Sequence, residues 1–227
     1  MLATGNFLNN FRKHYYQLKD KEKTLGDAQK NELKSEAALA ALQSRINPHF
    51  LYNALNSITS LAQEDAVKTE KMAMALSKFY KYSTNRKEEH WTSIAEELEL
   101  LDTYLVIEKI RFGEQLAVNY KLDPSLKNLR IPRFLLQPLV ENAIKYGYNE
   151  RRKQTEVTID INKQKEQLQI SVKDKGIPFS DTMELGYGLR SVQKKLKLLY
   201  PDQHKIDFVN TPEKGVIITL AQAPKIL

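Results

Sequence analysis

Apolar residues recur at helical spacing through the N-terminal part of the chain. From about Leu18 to Ala62 the sequence consists mainly of good helix formers, has no glycine after Gly26, and predicts one long helix. The apolar stripe of this helix comprises Leu39, Leu42, Ile46, Leu51, Leu55, Ile58 and Ala62. A second helix is predicted from about Val67 to Asn85, with apolar positions at Met72, Ala75, Leu76, Phe79 and Tyr80. Because two such helices cannot bury both stripes alone, we expect two copies of the chain to pair in a four-helix bundle.

A capping pattern marks the start of a third helix. Ser93 is followed three residues later by Glu96, so a hydroxyl and a carboxylate can satisfy the free backbone N–H groups of a helix start. The helix is predicted to continue to about Arg111. Its apolar stripe, which should pack on the elements that follow, comprises Leu98, Leu101 and Leu105.

Beyond this helix the apolar pattern changes to the alternation of β-strands. Two strands flank a predicted turn at Asn162–Glu166, and their apolar positions are Val157, Ile159, Ile161, Leu168, Ile170 and Val172. Further strands are predicted at Leu116–Lys121, Ile206–Val209 and Val216–Leu220, and helices at Pro132–Tyr148 and Leu189–Leu199. This interleaving predicts the α+β class, with an antiparallel or mixed sheet covered by helices on one side.

The composition narrows the class of protein. With 227 residues, 41% hydrophobic and 28% charged, the chain is long enough for one large or two modest globular domains. The absence of cysteine excludes disulfide scaffolds and thiolate metal sites, and it fits a reducing cytoplasm. We see neither a secretory signal nor an apolar run long enough to cross a bilayer. The net charge of +7 is spread among acidic residues, so a nucleic-acid partner is not expected.

A histidine follows a proline inside the first predicted helix. Pro48 removes a backbone donor and should kink the helix next to His49. Relative to the stripe that resumes at Leu51, His49 lies about 200° around the helix axis and should face solvent, on the same face as Asn53 and Asn56. A neutral, exposed imidazole can accept a phosphoryl group. A plain surface or interface histidine beside a kink is the commoner case, so the geometry leaves both interpretations open.

The helix predicted from Pro132 carries a polar cluster near its end. Glu141 and Lys145 are four residues apart, as are Asn142 and Tyr146, so their side chains should project from neighbouring stripes. An amide that holds hydrated Mg²⁺ beside a lysine that meets phosphate oxygens would suit a triphosphate. A salt bridge on the helix surface explains Glu141 and Lys145 equally well.

Two glycine-containing turns follow. Asp174 ends a predicted strand two residues before Gly176, where a carboxylate could accept a hydrogen bond from an exocyclic amine. Gly186 and Gly188 lie at the start of the predicted helix from Leu189, where free backbone amides favour phosphate. Each of these signals is weak alone, since such turns are common.

The segment around His49 resembles a known family. PHFLYNALN is similar over nine residues to the phosphoacceptor box of the LytS-like sensor histidine kinases. The resemblance implies that His49 is the phosphorylated residue. Most other histidine kinases have an acid directly after the acceptor, whereas this chain has Phe50.

The C-terminal half resembles a second, matching module. PLVENAIKYG, then DKG and GYGL, resemble in order and spacing the GHKL (Bergerat-type) ATP-binding domain of gyrase, Hsp90, histidine kinases and MutL. By this resemblance Asn142 holds Mg²⁺, Asp174 binds adenine, and Glu141 matches a proposed general base. The implied nucleotide-binding residues are Asn142, Lys145, Tyr146, Asp174, Gly176, Gly186, Gly188 and Leu189. The segment WTSIAEELELLDTYLVIEKIRFG resembles the linking region, so the likeness extends over about Leu33–Leu220.

Two positions depart from the family pattern. Pro178 replaces the second glycine of D-x-G-x-G at the start of a lid expected at about Pro178–Leu185, and proline restricts backbone movement. Tyr146 replaces a histidine that is common after the lysine of the Asn-containing motif. Both departures bear on nucleotide affinity and turnover.

The resemblance implies a two-component sensor histidine kinase. Residues 1–90 would form a helical-hairpin dimerisation domain carrying His49, and residues 91–227 an α/β sandwich that binds ATP and Mg²⁺. The homodimer would autophosphorylate and pass the phosphoryl group to an aspartate of a response regulator docked around His49, Asn53 and Asn56. Kinases of this group usually carry membrane or periplasmic sensing segments, so the chain would act in the cytoplasm as part of an inner-membrane sensor or as a soluble member. The alternatives are a degenerate kinase that binds nucleotide without phosphotransfer, and a purely structural helical dimer.

Overall fold

The computed structural model describes Lys21, residues 48–84, 90–151 and 153–180, Thr182, and residues 184–221. The described residues from Pro48 onward belong to one compact unit. The predicted seam positions Leu39, Leu42 and Ile46 lie outside the described residues. The described structure does not test the predicted domain boundary at residue 90, which stays a prediction.

Three helices form the first part of the described structure. They are α1 (Pro48–Leu61), α2 (Ala66–Thr84) and α3 (Ile94–Phe112). An aromatic cluster joins them, because the ring of Phe50 on α1 lies 5.3 Å from Phe79 on α2 and 5.1 Å from Tyr104 on α3. All three rings are buried, so hydrophobic burial holds α1 and α2 against α3.

Within one chain, α1 buries a face other than the one that carries Leu55. Phe50 and Ala54 are buried, whereas Leu55, expected on the inner stripe, is 46% exposed. Both faces of this helix carry apolar residues, so the 3.6-residue period alone could not determine which face packs on α3. Because the stripe that includes Leu55 was expected to be buried between two copies of the chain, its exposure in one chain leaves that prediction untested.

The predicted capping box at the start of α3 is confirmed. The hydroxyl Oγ of Ser93 accepts a hydrogen bond from the backbone N–H of Glu96 at 3.1 Å. The carboxylate of Glu96 accepts one from the backbone N–H of Ser93 at 2.9 Å. Two otherwise unpaired donors are thus satisfied, which fixes the residue at which the helix begins.

The second part is built on a mixed six-stranded sheet. Its strands are β2 (Leu116–Leu122), β4 (Tyr148–Asn149), β5 (Gln154–Gln164), β6 (Gln167–Asp174), β7 (His204–Val209) and β8 (Lys214–Ala221). The main order is β2-β5-β6-β8-β7, with β4 paired to β5. Among the described strands of this sheet, only the β2–β5 pair is parallel. A separate antiparallel pair is formed by β1 (Trp91–Ser93) and β3 (Arg130–Pro132). The predicted α+β class and mixed sheet are confirmed.

The hairpin between β5 and β6 is tighter than the predicted turn at Asn162–Glu166. Asn162 and Gln164 still pair with β6, which leaves Lys165 and Glu166 as the turn. Lys165 has a φ of 57°, the left-handed conformation that a two-residue hairpin requires. Polar residues therefore extend both strands beyond the apolar alternation that predicted them.

Two helices cover the sheet: α4 (Leu136–Tyr146) and α5 (Tyr187–Leu199). Helix α4 packs on β5 and β6 and also contacts α5, so both helices lie on the same face. The predicted start of α4 at Pro132 was wrong, because Pro132 pairs with Trp91 in the β1–β3 ribbon. No helix in the described ranges is both long and apolar enough to cross a bilayer.

A buried carboxylate fixes the start of α4. The two oxygens of Glu97 accept hydrogen bonds from the backbone N–H groups of Phe134 and Leu136, each at 3.0 Å. Burial raises the pKa of Glu97, and the N–H of Leu136, the charge of Lys195 and the N–H of Phe134 oppose this rise. An α3 side chain thus supplies the cap that α4 lacks in its own sequence.

Candidate functional site

A cavity of about 1140 Å³ opens where the end of α4, the loop after β6 and the start of α5 meet. Small-molecule sites typically enclose roughly 300 to 1,000 Å³, so this cavity has room for a nucleotide. The predicted site residues that line it are Asn142, Lys145, Tyr146, Gly176, Gly186 and Leu189. Residues far apart in the sequence are thus brought to one site.

Three of the residues predicted from the C-terminal motifs are not among the described residues that line this cavity. Glu141 accepts a hydrogen bond at 3.0 Å from the amide of Gln137, one turn earlier on α4. A Cβ atom at Gly188 would lie 3.3 Å from Cβ of Pro138, so the glycine lets α5 approach α4 closely. Asp174, the third, is buried, and its neighbours Lys175 and Gly176 line the cavity.

Gly176 allows two parts of the site to touch. A Cβ atom at this position would lie only 2.0 Å from the backbone oxygen of Tyr146 and 2.7 Å from Cα of Gly147. A side chain therefore cannot be accommodated here without moving the backbone. The glycine lets the loop after Asp174 pack directly on the end of α4.

Asp174 is held by two neighbours. Its Oδ1 atom accepts a hydrogen bond from the backbone N–H of Gly176 at 2.9 Å and lies 3.0 Å from Nζ of Lys214. Burial raises the pKa of Asp174, and the N–H of Gly176 and the ammonium of Lys214 oppose that rise. The side chains of Asp174 and Lys214 are each only 3% exposed, so the pair is a buried one. Lys214, unlike Asp174, lines the cavity.

Cations outnumber anions on the cavity wall. The lining residues include Lys145, Arg151, Lys175 and Lys214, against Glu150 and Glu184. Lys175 also pairs with Glu156 at 2.7 Å, which fixes its side chain at the rim. Glu156 neutralises Lys175 and Asp174 neutralises Lys214, so Lys145 and Arg151 are the cations of the wall that favour a polyanionic ligand.

Apolar groups form another part of the wall. Ile177 is 79% exposed yet lines the cavity, together with Tyr146, Tyr148, Phe179 and Leu189. Phe179 is held in place because its N–H donates to the side chain of Asn210 at 2.8 Å, and the Asn210 amide donates back to its carbonyl at 3.0 Å. The start of the predicted lid at Pro178 is thus tied to the loop before β8. Such flat apolar surfaces suit an aromatic base.

The α1 residues of the predicted phosphoacceptor site lie on the exposed side of the helix. His49 and Asn56 are exposed, and the amide Nδ2 of Asn53 lies 3.2 Å from Nδ1 of His49. The next residue, Phe50, points into the aromatic cluster with Phe79 and Tyr104. The position that carries an acid in most histidine kinases thus holds α1 against the rest of the protein.

Comparisons with known proteins agree with these motifs. Residues 37–116 match the histidine kinase family. The sensor protein LytS of Staphylococcus haemolyticus (strain JCSC1435) is 30% identical over 201 residues, which cover 82% of this chain and 34% of that protein. The sensor histidine kinase BtsS of Escherichia coli (strain K12) is 32% identical over 187 residues, covering 82% of this chain and 33% of BtsS.

The chain belongs to the LytS-like sensor histidine kinases. It spans about a third of the length of these curated relatives. Among solved structures, the histidine kinase domain of the blue-light activated histidine kinase from Erythrobacter litoralis is similar. That domain is 17% identical, with a TM-score of 0.47 over 84% of this chain and 95% of that one.

Sequence reasoning missed several residues of the cavity in this member of the LytS-like family. Lys214 begins β8 and reaches the site only because β8 pairs with β6, placing it opposite Asp174. Tyr148 and Arg151 follow α4 on and beyond the short strand β4. Tyr148 and Arg151 could have been predicted as site residues because they lie close to the Asn142 motif in the sequence. Lys214 could have been predicted only from the register in which β8 pairs with β6.

Proposed function

We propose that this chain binds Mg-ATP in the cavity and transfers the terminal phosphoryl group to His49. One observation carries the proposal. The same cavity is lined by Asn142, Lys145, Gly176 and Gly186. These residues come from three separate motifs, and they face one volume large enough for a nucleotide.

The phosphates would lie between the end of α4 and the start of α5. Gly186 precedes the first turn of α5, whose unpaired backbone N–H groups and helix dipole favour negative charge. Lys145 would add a charged donor from α4. The amide oxygen of Asn142 fits Mg²⁺, which in nucleotide sites takes one or two protein oxygens besides phosphates and water. When bound, Mg²⁺ would neutralise phosphate charge that develops during transfer.

The base would lie beside Ile177 and Phe179, whereas the Tyr146 ring lies 5.0 Å from Nζ of Lys145, nearer the phosphates. The apolar surfaces of Ile177 and Phe179 can cover the faces of a purine, while Asp174 can accept a hydrogen bond from an exocyclic amine. This arrangement supports adenine as the base.

His49 would be the nucleophile. A bare imidazole nitrogen attacks the terminal phosphorus, the bond between that phosphorus and the bridging oxygen breaks, and ADP leaves. The exposure of His49 supports this role, because the ring must meet a nucleotide held elsewhere in the same or a partner chain. Glu141 remains the proposed general base, although its carboxylate bonds to Gln137 and does not line the cavity described here.

The phosphohistidine would then supply an aspartate of a response regulator. We place the docking surface around His49, Asn53 and Asn56, which share the exposed side of α1. The chain would act as a homodimer in the cytoplasm, with α1 and α2 contributing to the dimer interface.

Incubation with ATP labelled at the terminal phosphate tests the proposal. We expect acid-labile label on the parent protein and none on His49→Ala. The matched control is His90→Ala, since His90 is also exposed but lies outside the phosphoacceptor motif. Nucleotide binding without label would contradict phosphotransfer and favour the degenerate-kinase alternative. Equal labelling of His49→Ala and the parent would place the acceptor elsewhere.

A further inference from the structure

Lys214 occupies an unusual position for a lysine. Its side chain is only 3% exposed, although a lysine can normally extend its ammonium to solvent. Nζ contacts Oδ1 of Asp174 at 3.0 Å and the backbone oxygen of Tyr146 at 3.1 Å. It also lies 5.2 Å from the centre of the Phe179 ring. The ammonium is therefore fixed at the wall where the aromatic part of the cavity ends.

The strand register makes this position rigid. Lys214 and Asp174 are direct cross-strand partners in the β6–β8 pair, so their side chains project from the same face of the sheet. Phe179, which packs near the ammonium, is itself tied to Asn210 by two hydrogen bonds. A ligand in the cavity would thus meet an ammonium whose place is set by the sheet and by the neighbouring loop.

One donor of the ammonium can serve a ligand. A lysine ammonium carries three N–H groups, and the contacts with Asp174 and Tyr146 use two of them. Lys214 lines the cavity, so the third can be directed into it. On Asp174, both the N–H of Gly176 and Nζ of Lys214 contact Oδ1, so Oδ2 can accept from a ligand.

The pair therefore presents an acceptor and a donor side by side. The edge of adenine carries the complementary pattern, an exocyclic amine that donates next to a ring nitrogen, N1, that accepts. Hypoxanthine carries the reverse pattern, a carbonyl oxygen next to a ring N–H. A carboxylate and an ammonium in fixed positions would favour the first edge over the second.

We propose that Lys214 is a base-contacting residue that donates a hydrogen bond to N1 of adenine while Asp174 accepts from the exocyclic amine. The proposal rests on the nucleotide binding proposed above and adds a second contact to it. Lys214 would then determine base specificity as well as neutralise a buried carboxylate.

A purely structural role makes a different prediction. If Lys214 only neutralised Asp174, its loss would weaken the binding of every adenine-like ligand by the same factor. A direct contact with N1 is lost selectively when the ligand has no acceptor at that position. The ligand 1-deaza-ATP, in which a C–H group replaces N1, therefore separates the two roles.

The experiment measures dissociation constants for ATP and 1-deaza-ATP by titration calorimetry, with Mg²⁺ present. For the unmodified protein we expect 1-deaza-ATP to bind about tenfold more weakly or worse, because an ammonium donor is left unpaired. For Lys214→Met we expect weaker ATP binding and a ratio of the two constants close to one. Lys205→Met is the matched control, since Lys205 is 72% exposed on the neighbouring strand β7, and it should retain the parent ratio.

The outcomes are separable. Equal binding of both ligands by the unmodified protein would overturn the role of Lys214 and leave the proposed nucleotide site intact. An undiminished ratio in Lys214→Met would also overturn it. Failure of the unmodified protein to bind ATP would overturn both proposals. If Lys214→Met does not fold, the comparison of the two ligands on the unmodified protein still decides, since it needs no variant.

Discussion

The amide Nδ2 of Asn53 lies 3.2 Å from Nδ1 of His49, one helical turn earlier on α1. The same atom lies 3.4 Å from Nε2, so this contact would orient the imidazole without selecting which ring nitrogen carries the proton. We therefore predict that Asn53→Ala slows phosphorylation of His49. A bond worth about 1 kcal/mol corresponds to a rate loss of about fivefold. The initial rate of labelling at saturating ATP is the measurement.

Asn56→Ala is the matched control for this variant. Asn56 is exposed on the same helix, seven residues after His49, and we expect its loss to leave the rate of autophosphorylation unchanged. The dissociation constant for ATP should equal that of the parent protein in both variants. Equal autophosphorylation rates in Asn53→Ala and the parent would contradict the orienting role.

Asn142→Ala tests the proposed metal ligand. Asn142 is half-buried on α4 and lines the cavity, so the fold should survive the loss of its amide. We expect the variant to lose Mg-dependent ATP binding, because the protein oxygen proposed to hold Mg²⁺ is gone. Calorimetric titration with Mg²⁺ and with a chelator measures the effect. Asn119→Ala, an exposed position on β2, is the control, and parent-like affinity in Asn142→Ala would refute the assignment.

Local patterns predicted the elements of the fold well. The Ser93–Glu96 capping box is a contact between residues three apart, and its two hydrogen bonds form as the sequence predicts. The strands β5 and β6 were identified because each alternates apolar and polar residues over a short stretch. These patterns involve residues that are close in the sequence, so the structures they predict form largely independently of distant segments.

Contacts between distant segments could not be predicted in the same way. Pro132 was wrongly assigned to a helix. Its actual partner in the β1–β3 ribbon, Trp91, lies 41 positions away in the sequence, so no local pattern indicated the pairing. Lys214 was overlooked because its partner Asp174 is brought opposite by strand register. Likewise Leu55 and Phe50 lie on different faces of one apolar helix, and only packing on α3 determines which is buried. The Asn142 motif could be found because its polar residues lie within one helix.

The exposed apolar side chains of α1 and α2 test the proposed homodimer. Leu55 on α1 and Met74 on α2 are among them. We predict that the protein is a dimer by light scattering and that Leu55→Glu shifts it toward monomer, because a buried charge at an interface is costly. Ser60→Glu, at another exposed position of α1, is the control. A parent protein that stays monomeric at high concentration would contradict the predicted bundle.

The aromatic cluster predicts a large loss of stability in Phe50→Ala. The Phe50 ring is buried against Phe79 and Tyr104, and its removal should lower the free energy of unfolding by about 3 to 5 kcal/mol. Phe112→Ala, the same change at a position that is 38% exposed, should cost about 1 kcal/mol or less. Urea unfolding measures both, and similar losses in the two variants would show that the cluster does not hold α1 in place.

Glu97 predicts a pH dependence of stability. Burial raises its pKa in the folded protein above the ordinary value of 4.5, so the folded state holds the proton more tightly than the unfolded state. The stabilisation that comes from this difference is complete below pH 4.5 and is lost as the pH rises through the raised pKa. Glu97→Gln removes this titration. It should also destabilise the protein by about 1 to 3 kcal/mol at low pH, since one backbone N–H at the start of α4 loses its acceptor.

Urea unfolding of the parent and Glu97→Gln at several pH values, from 4 upward, measures how the difference in their free energies of unfolding depends on pH. The stability advantage of the parent over Glu97→Gln should shrink as the pH rises. Other titrating groups are shared by the two proteins, so their contributions cancel in the difference. Glu99→Gln, on the exposed side of α3, should change stability by about 0.5 kcal/mol or less. An advantage that is constant or grows with pH would show that the folded state does not retain the proton on Glu97, because linkage fixes the sign of the slope.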